Sequence, residues 1–379
     1  MFGSRLRFGK RDERFAAPAV DPAPVPAPTP APAPTPAPSR AVGITAPRPR
    51  PHAFSEASLR AQIDELLAAK QNARAVGALI DALPQLHAAG FNIKEKLSNL
   101  IFLGKRIQDA GGAKYGHAKL RAKIRSVTGF LKGHELPRGG FVELGCGAHD
   151  PVALATFFYL NGFAPAYGID LLAPRVPEFS ALSMYDIVAN MALFPQRYCW
   201  RGTDPAVFRE RLDRIDVAQF EGGNFAAGVA SVGEVDLLIE DLLDCDLAPA
   251  SLALLTSFAV LEHVTDLPSV FARCRDLLVP GGIAYHFIDM ADHRSYRGDG
   301  AFGTFAFLFE HEAPANMNRL RAPDFVAAAL DAGFEVLVDR RIKGDLSEAD
   351  RARLVAPFSA MALDDVTIIK QHLVLRKPL

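Results

Sequence analysis

From Gly140 to the C-terminus, short apolar segments alternate with amphipathic ones. This rhythm constrains the fold more than any other feature of the chain. Candidate strands lie at 141–144, 166–170, 235–240, 252–257, 283–289, 335–339 and 368–375, and helices are expected to begin at Pro151, Leu267 and Ala322. Apolar strands of this length, separated by helix-length segments, predict an α/β fold, a doubly wound, largely parallel sheet covered on both faces. Hydrophobic residues make up 49% of the 379 and charged residues 22%, which is enough apolar material for such a core.

The segment before Gly140 differs. Residues 18–51 hold 13 of the 28 prolines, many alternating with alanine. Proline has no amide to donate and alanine adds little to a core, so this tract reads as an extended polyproline tether behind a short basic head (Arg5, Arg7, Lys10, Arg11, Arg14). The head either docks on an acidic surface or partner, such as a protein, or is a solvated tail. Residues 55–136 read as a helical extension. Ser55 caps a stripe of Leu59, Ile63, Leu66 and Leu67. A second stripe runs through Ile93, Leu97, Leu100, Ile101 and Ile107, and a third through Leu120, Ile124, Val127 and Leu131. The organisation expected is therefore 1–54 head and tether, 55–136 helical extension, and 137–379 α/β domain.

Between Gly90 and His134, Lys94, Lys96, Lys105, Arg106, Lys114, Lys119, Arg121, Lys123, Arg125 and Lys132 are opposed only by Glu95 and Asp109. Such a run is a solvated helix face or a rim for an anionic substrate. The net charge of −1 and the lack of interleaved aromatics argue against a nucleic-acid partner. Cys146, Cys199, Cys245 and Cys274 form no C-x-x-C pair, so neither a disulfide framework nor a metal site is expected. The basic N-terminus lacks the apolar core of a signal peptide, and no apolar run reaches the roughly 18 residues of a membrane helix. The chain is expected to be cytoplasmic.

The first candidate strand runs into Glu143-Leu144-Gly145-Cys146-Gly147-Ala148-His149-Asp150-Pro151. Gly145 and Gly147 let the backbone approach a ligand, and Asp150 and Pro151 read as N-cap and first position of a helix. Any nucleotide would suit that arrangement, NAD included. Two details narrow it. The G-x-G-x-x-G fingerprint is incomplete, and Glu143 would repel a pyrophosphate yet suit a cationic amino-acid ligand. Asp170 ends the second strand at the interval expected of a ribose-binding carboxylate.

With these residues in place, 141–292 resembles the class I S-adenosylmethionine-dependent methyltransferase superfamily. Glu143, Gly145 and Gly147 match its first motif, Asp170 its ribose acid, and Asp241 with Leu242 its adenine site. Ser257-Phe258-Ala259-Val260-Leu261-Glu262-His263-Val264 and Pro280-Gly281-Gly282 match its later motifs. The resemblance implies a Rossmann-like seven-stranded sheet with an antiparallel last strand. It also implies S-adenosylmethionine held by Glu143, Gly145, Cys146, Gly147, His149, Asp170, Leu171, Asp241, Leu242, Ser257 and Phe258. Two positions depart from the pattern: His149 stands where a third glycine is usual, and Leu252-Ala253 where an acid opens the fourth strand. The segment 286–294 with 318–321 is similar to methyltransferases of bacterial surface-polysaccharide synthesis.

On that basis the expected activity is O-methylation of a saccharide or other small hydroxylated acceptor. The alternatives are methylation of RNA or protein through the basic helices, and a non-catalytic cofactor-binding scaffold. A hydroxyl nucleophile calls for a general base. His263, after the fourth strand, is the first candidate, unless it only packs the following helix. Asp289, Asp292 and His293 form the second group, with Glu262 orienting a partner. Cys146 reads as packing rather than nucleophilic. The stretch 172–232, with Arg197, Tyr198, Trp200 and Arg201, reads as a long loop forming the acceptor pocket with the basic helices.

Overall fold

Eight strands form one sheet in the order β3-β4-β2-β1-β5-β6-β8-β7. The computed structural model describes residues 58, 61, 62, 65, 116–147, 150–174, 177–215, 229–231, 234–297, 300–314 and 316–379. The strands are β1 (Gly140–Leu144), β2 (Ala166–Asp170), β3 (Val229–Ser231), β4 (Val235–Ile239), β5 (Leu252–Phe258), β6 (Leu278–Asp289), β7 (Glu335–Lys343) and β8 (Ile368–Arg376). β1 pairs in parallel with β2 and β5, β2 with β4, and β5 with β6; β8 runs antiparallel between β6 and β7, as the methyltransferase pattern implies. All seven expected strands are present. The eighth, three-residue β3, adds an antiparallel edge to β4.

Among the described residues, the α-helices of eight or more residues are α1 (His117–Phe130), α2 (Ala153–Leu160), α3 (Pro177–Leu193), α4 (Pro205–Leu212), α5 (Leu267–Leu277) and α6 (Ala322–Asp331). They divide the core between the two faces of the sheet. Phe141, Leu254, Ile283 and Tyr285 pack under α1–α4 with Val127, Phe158, Met184 and Phe208. Val142, Leu255, Ala284 and Leu373 pack under α5 and α6 with Phe271 and Phe325. Alternation along β1 assigns its side chains to the two faces, and by the same parity Glu143 faces α1. Every residue of β1 is buried, as a central parallel strand covered on both sides requires.

The segment 172–232 is not a structureless loop. It contains α3, a 3-10 turn at Pro195–Arg197 and α4, whose N-cap Asp204 accepts from the Ala206 amide at 2.7 Å. After β6 the chain builds a small third core from Phe305, Phe307, Leu308, Phe358 and Val366. Arg321, fully buried, anchors it by donating to the carbonyls of Met290, Val366 and Ile368.

Of the expected helical extension, α1 carries the third stripe: Leu120, Val127 and Leu131 are buried in the same core as Phe158. The head, the tether, and the first two stripes with their cap lie outside the described residues. No described helix is long and apolar enough to cross a membrane.

Candidate active site

The chain runs β1-β2-β4 in one direction across the sheet and returns to β5-β6 on the other side, so the order reverses between β1 and β5. The crevice at the carboxyl ends of these strands is where open α/β sheets bind ligands. Here the turn after β1 is held down on β2. The Gly145 and Cys146 amides both donate to the Ile169 carbonyl, at 2.8 and 3.1 Å. The Gly147 amide donates to Asp170 Oδ2 at 2.9 Å, and the Leu172 amide to Asp170 Oδ1 at 3.0 Å. Two glycines make this approach feasible. Gly145 has φ +65° and a Cβ there would lie 2.3 Å from Val260 Cγ2; a Cβ at Gly168 would lie 2.2 Å from the Pro151 carbonyl oxygen.

A cavity of about 350 Å³ opens in this crevice. Its walls are apolar (Leu144, Leu171, Val260, Val264), with carboxylates at two places, Asp170 and the pair Glu240 and Asp241. Asp241 Oδ1 accepts from the Leu243 amide at 2.9 Å, and burial raises its pKa. Each Asp170 oxygen retains a lone pair beyond the backbone amide it accepts, so a ribose diol can be held there. Asp241 leaves one oxygen for an amino group. These acceptors, with an apolar slot between them, fit an adenosine.

The structure separates the predicted cofactor residues. Gly145, Asp170, Leu171, Asp241 and Leu242 line the cavity. Gly147 borders it through its bond to Asp170. Glu143 does not line it: its carboxylate is 1% exposed and paired with Lys123 of α1 at 2.5 Å. Burial opposes the Lys123 charge, but Glu143 outweighs it and the ammonium's pKa is raised. Cys146 is buried against the turn with its thiol pKa pushed well up by burial, which fits packing rather than nucleophilic chemistry. Ser257 is fully buried and spends its hydroxyl on His286 Nδ1 at 2.8 Å. Phe258 packs 5.6 Å from Tyr285, with Lys123 Nζ 5.1 Å over its ring. His149 lies outside the described residues.

Asp150 is not the N-cap expected. α2 begins at Ala153 with Val152 as its cap, and the Asp150 side chain turns to the Ser183 hydroxyl and to Lys119, 3.9 Å away. Lys119 and Lys123, counted in the sequence only as part of a basic run, thus project into the acidic underside of the cofactor turn.

The catalytic candidates fall into two sets. His263 reaches the cavity wall. Its Nδ1 bonds the Asn316 carbonyl, which requires a proton on Nδ1 and leaves the lone pair on Nε2. Burial holds its pKa below the usual histidine value, and His293 adds to the shift, so the ring is neutral near pH 7. His293 stands beside it, ring centroids 5.0 Å apart, and Asp289 lies behind, accepting from Tyr296 Oη at 2.7 Å. Asp292 does not belong to this set: fully buried, it gives both oxygens to Arg294, down to 2.6 Å, and has nothing left to offer a substrate. Glu262, buried beneath the two histidines, has its carboxyl pKa pushed up to about 8 by burial. Tyr296 gave no sequence signal, since contacts across a turn between strand ends leave no periodic trace.

The expected acceptor residues of 197–201 sit elsewhere. Arg201 donates to the carbonyls of Leu131 and His134 and stacks on Trp200, whose amide is bonded by Asn161 at the end of α2. That places them where β2 begins, at the opposite end of the sheet from the cavity.

Residues 216–286 match the sequence family described as a methyltransferase domain. The match spans β4, β5 and most of β6, the strands that carry Asp241 and His263. That segment is similar to a methyltransferase domain, in line with the resemblance read from the sequence. No curated protein matches this chain in sequence. Among solved structures, phosphoethanolamine N-methyltransferase 2 of Haemonchus contortus is 13% identical with a TM-score of 0.36, over 70% of this chain and 54% of that one. Geranyl diphosphate C-methyltransferase of Streptomyces coelicolor is 12% identical with a TM-score of 0.38, over 68% and 78%. An S-adenosylmethionine-dependent methyltransferase of Mesorhizobium loti is 16% identical with a TM-score of 0.30, over 64% and 93%. These are remote likenesses, and the chain spans about half the length of the first.

Proposed function

We propose that this methyltransferase moves a methyl group from S-adenosylmethionine to a hydroxyl of a small acceptor, a saccharide being the leading class. The bound cofactor supplies a sulfonium methyl already activated for in-line displacement. Asp170 and Asp241 hold the nucleoside, and the apolar walls exclude water from it. The observation that carries the hydroxyl reading is His263, a neutral imidazole at the cavity wall whose Nδ1 is committed to Asn316, leaving Nε2 to take a proton. A hydroxyl needs that help, and a positioned base contributes about 10²–10⁴-fold. The inward pairing of Lys119 and Lys123 with Asp150 and Glu143 weighs against a basic docking face for RNA or protein.

The test is incubation with isotopically labelled cofactor and a panel of hydroxylated acceptors, read by mass spectrometry. His263→Ala should cut transfer by about 100-fold or more while still binding S-adenosylmethionine. Full transfer by that variant would remove His263 from the mechanism. We also propose a cytoplasmic setting, supported by four free cysteines, and a protein partner for the N-terminal head and tether. The division at 54 and 136 stands as part of the same proposal.

A further inference from the structure

Glu262 and His263 lie on the 3-10 turn Leu261–His263 after β5, and His293 opens the 3-10 segment His293–Arg297 after β6. Because β5 and β6 are parallel neighbours, these two turns meet at the rim of the cavity. One nitrogen or carboxylate oxygen from each of Glu262, His263 and His293 lies within 4.8 Å of the other two.

The bonding around these atoms is incomplete. Glu262 is 1% exposed. Its Oε1 takes only a long bond from the Asp289 amide at 3.3 Å and stands 3.8 Å from His293 Nε2. Neither Glu262 Oε2 nor His293 Nε2 has a hydrogen-bond partner among the described residues. Unpaired polar atoms at that depth are costly, and a shared ligand between them removes the cost. The scaffold around them is fixed. Asn318 Nδ2 bonds the carbonyls of Leu261 and Val264 at 2.7 and 2.8 Å, and the Asn316 carbonyl orients the His263 ring.

We propose that Glu262, His263 and His293 bind one divalent transition-metal cation, and that this cation holds the acceptor's oxygen at the methyl-transfer pocket. The proposal rests on the hydroxyl-acceptor reading above and deepens it by replacing its base: the Nε2 lone pair of His263 goes to the cation, and the cation activates the hydroxyl in its place. Two imidazoles and one carboxylate select a borderline ion such as Zn²⁺, Co²⁺ or Fe²⁺ over Mg²⁺. Three protein ligands leave a position open for substrate. With bonds of about 2.1 Å the three atoms must draw in to about 3.4 Å, a small adjustment for side chains on turns. An oxygen bound to the cation gives up its proton to solvent more readily, and His263 then acts as a ligand instead of a base. The sequence expectation of no metal site arose because His293 lies 30 residues beyond Glu262-His263, outside any local ligand spacing.

The test is titration of chelator-treated, full-length protein with Co²⁺, read by visible absorption and calorimetry, with S-adenosylmethionine titrated separately. The expected result is one equivalent of Co²⁺ with a d–d band. Glu262→Gln and His293→Ala should each weaken it by tenfold or more while leaving cofactor affinity, the check on folding, within about twofold. Wild-type protein that binds S-adenosylmethionine but takes up no Co²⁺, or equal uptake by both variants, overturns the cation site. The acceptor is absent throughout, so a failed hydroxyl reading shows separately, as Co²⁺ uptake without methylation of any hydroxylated compound.

Discussion

His286 sits in the middle of β6, fully buried, with its only bond to Ser257. Burial depresses its pKa to about 3. The unfolded chain binds a proton near pH 6.5, where the folded chain binds none until about pH 3. The unfolded state therefore gains protons first, and stability falls as pH drops through that window. His286→Gln should flatten the decline, and melting curves of both proteins between pH 7 and 5 check it. Lys123 and Glu143 form the other instructive pair. Removing the lysine strands a carboxylate that is 1% exposed, so Lys123→Ala should cost about 3–5 kcal/mol in denaturant unfolding. Lys123→Met with Glu143→Gln should recover most of it. The sequence identified Glu143 as functional from its place in a motif. What it could not show was which way the side chain points, because the partner lies 20 residues upstream on another element.

At the scale of elements, the strands were legible because each is a continuous apolar run between turn residues. The helix after β1 was legible in existence but began two residues late, since Asp150 serves Ser183 rather than the helix end. α3 was missed altogether. Its buried positions Ser180, Ser183, Met184, Ile187, Val188 and Met191 recur at helical spacing, but the serines and the buried Asn190 break up the apolar stripe that would mark it in the sequence. β3 is too short and too near the edge to leave a pattern. The close contact of the cofactor turn with β2 makes a prediction of its own. Gly168→Ala would drive a methyl into the Pro151 carbonyl and against Cys146 Sγ, 3.1 Å away. It should destabilise the protein by about 1–3 kcal/mol and weaken S-adenosylmethionine binding by about tenfold, measured by unfolding and calorimetry on the same sample.

Over the whole molecule, the class of fold followed from the alternating rhythm, and Gly145, Asp170 and Asp241, expected at the cofactor site, line one cavity. His263, Asp289 and His293 were also named from the sequence, but it did not show that the turns after β5 and β6 meet, or that Asn316 orients His263. α1 also changes the view of the N-terminal region, because its apolar side completes the core under β1. Deleting residues 1–133 should expose Phe158 and Ile283, strand Glu143, and yield protein that aggregates or melts early, as size-exclusion and thermal scans would show.

The central claim is that the crevice between β1 and β5 holds S-adenosylmethionine through Asp170. Calorimetric titration of wild type and Asp170→Ala with S-adenosylmethionine tests it most directly. Wild type should bind one equivalent, and the variant should bind at least tenfold more weakly, losing a charge-assisted bond worth about 1.5–3 kcal/mol. Equal affinity in the two proteins, or a wild type that binds NAD and not S-adenosylmethionine, would contradict it.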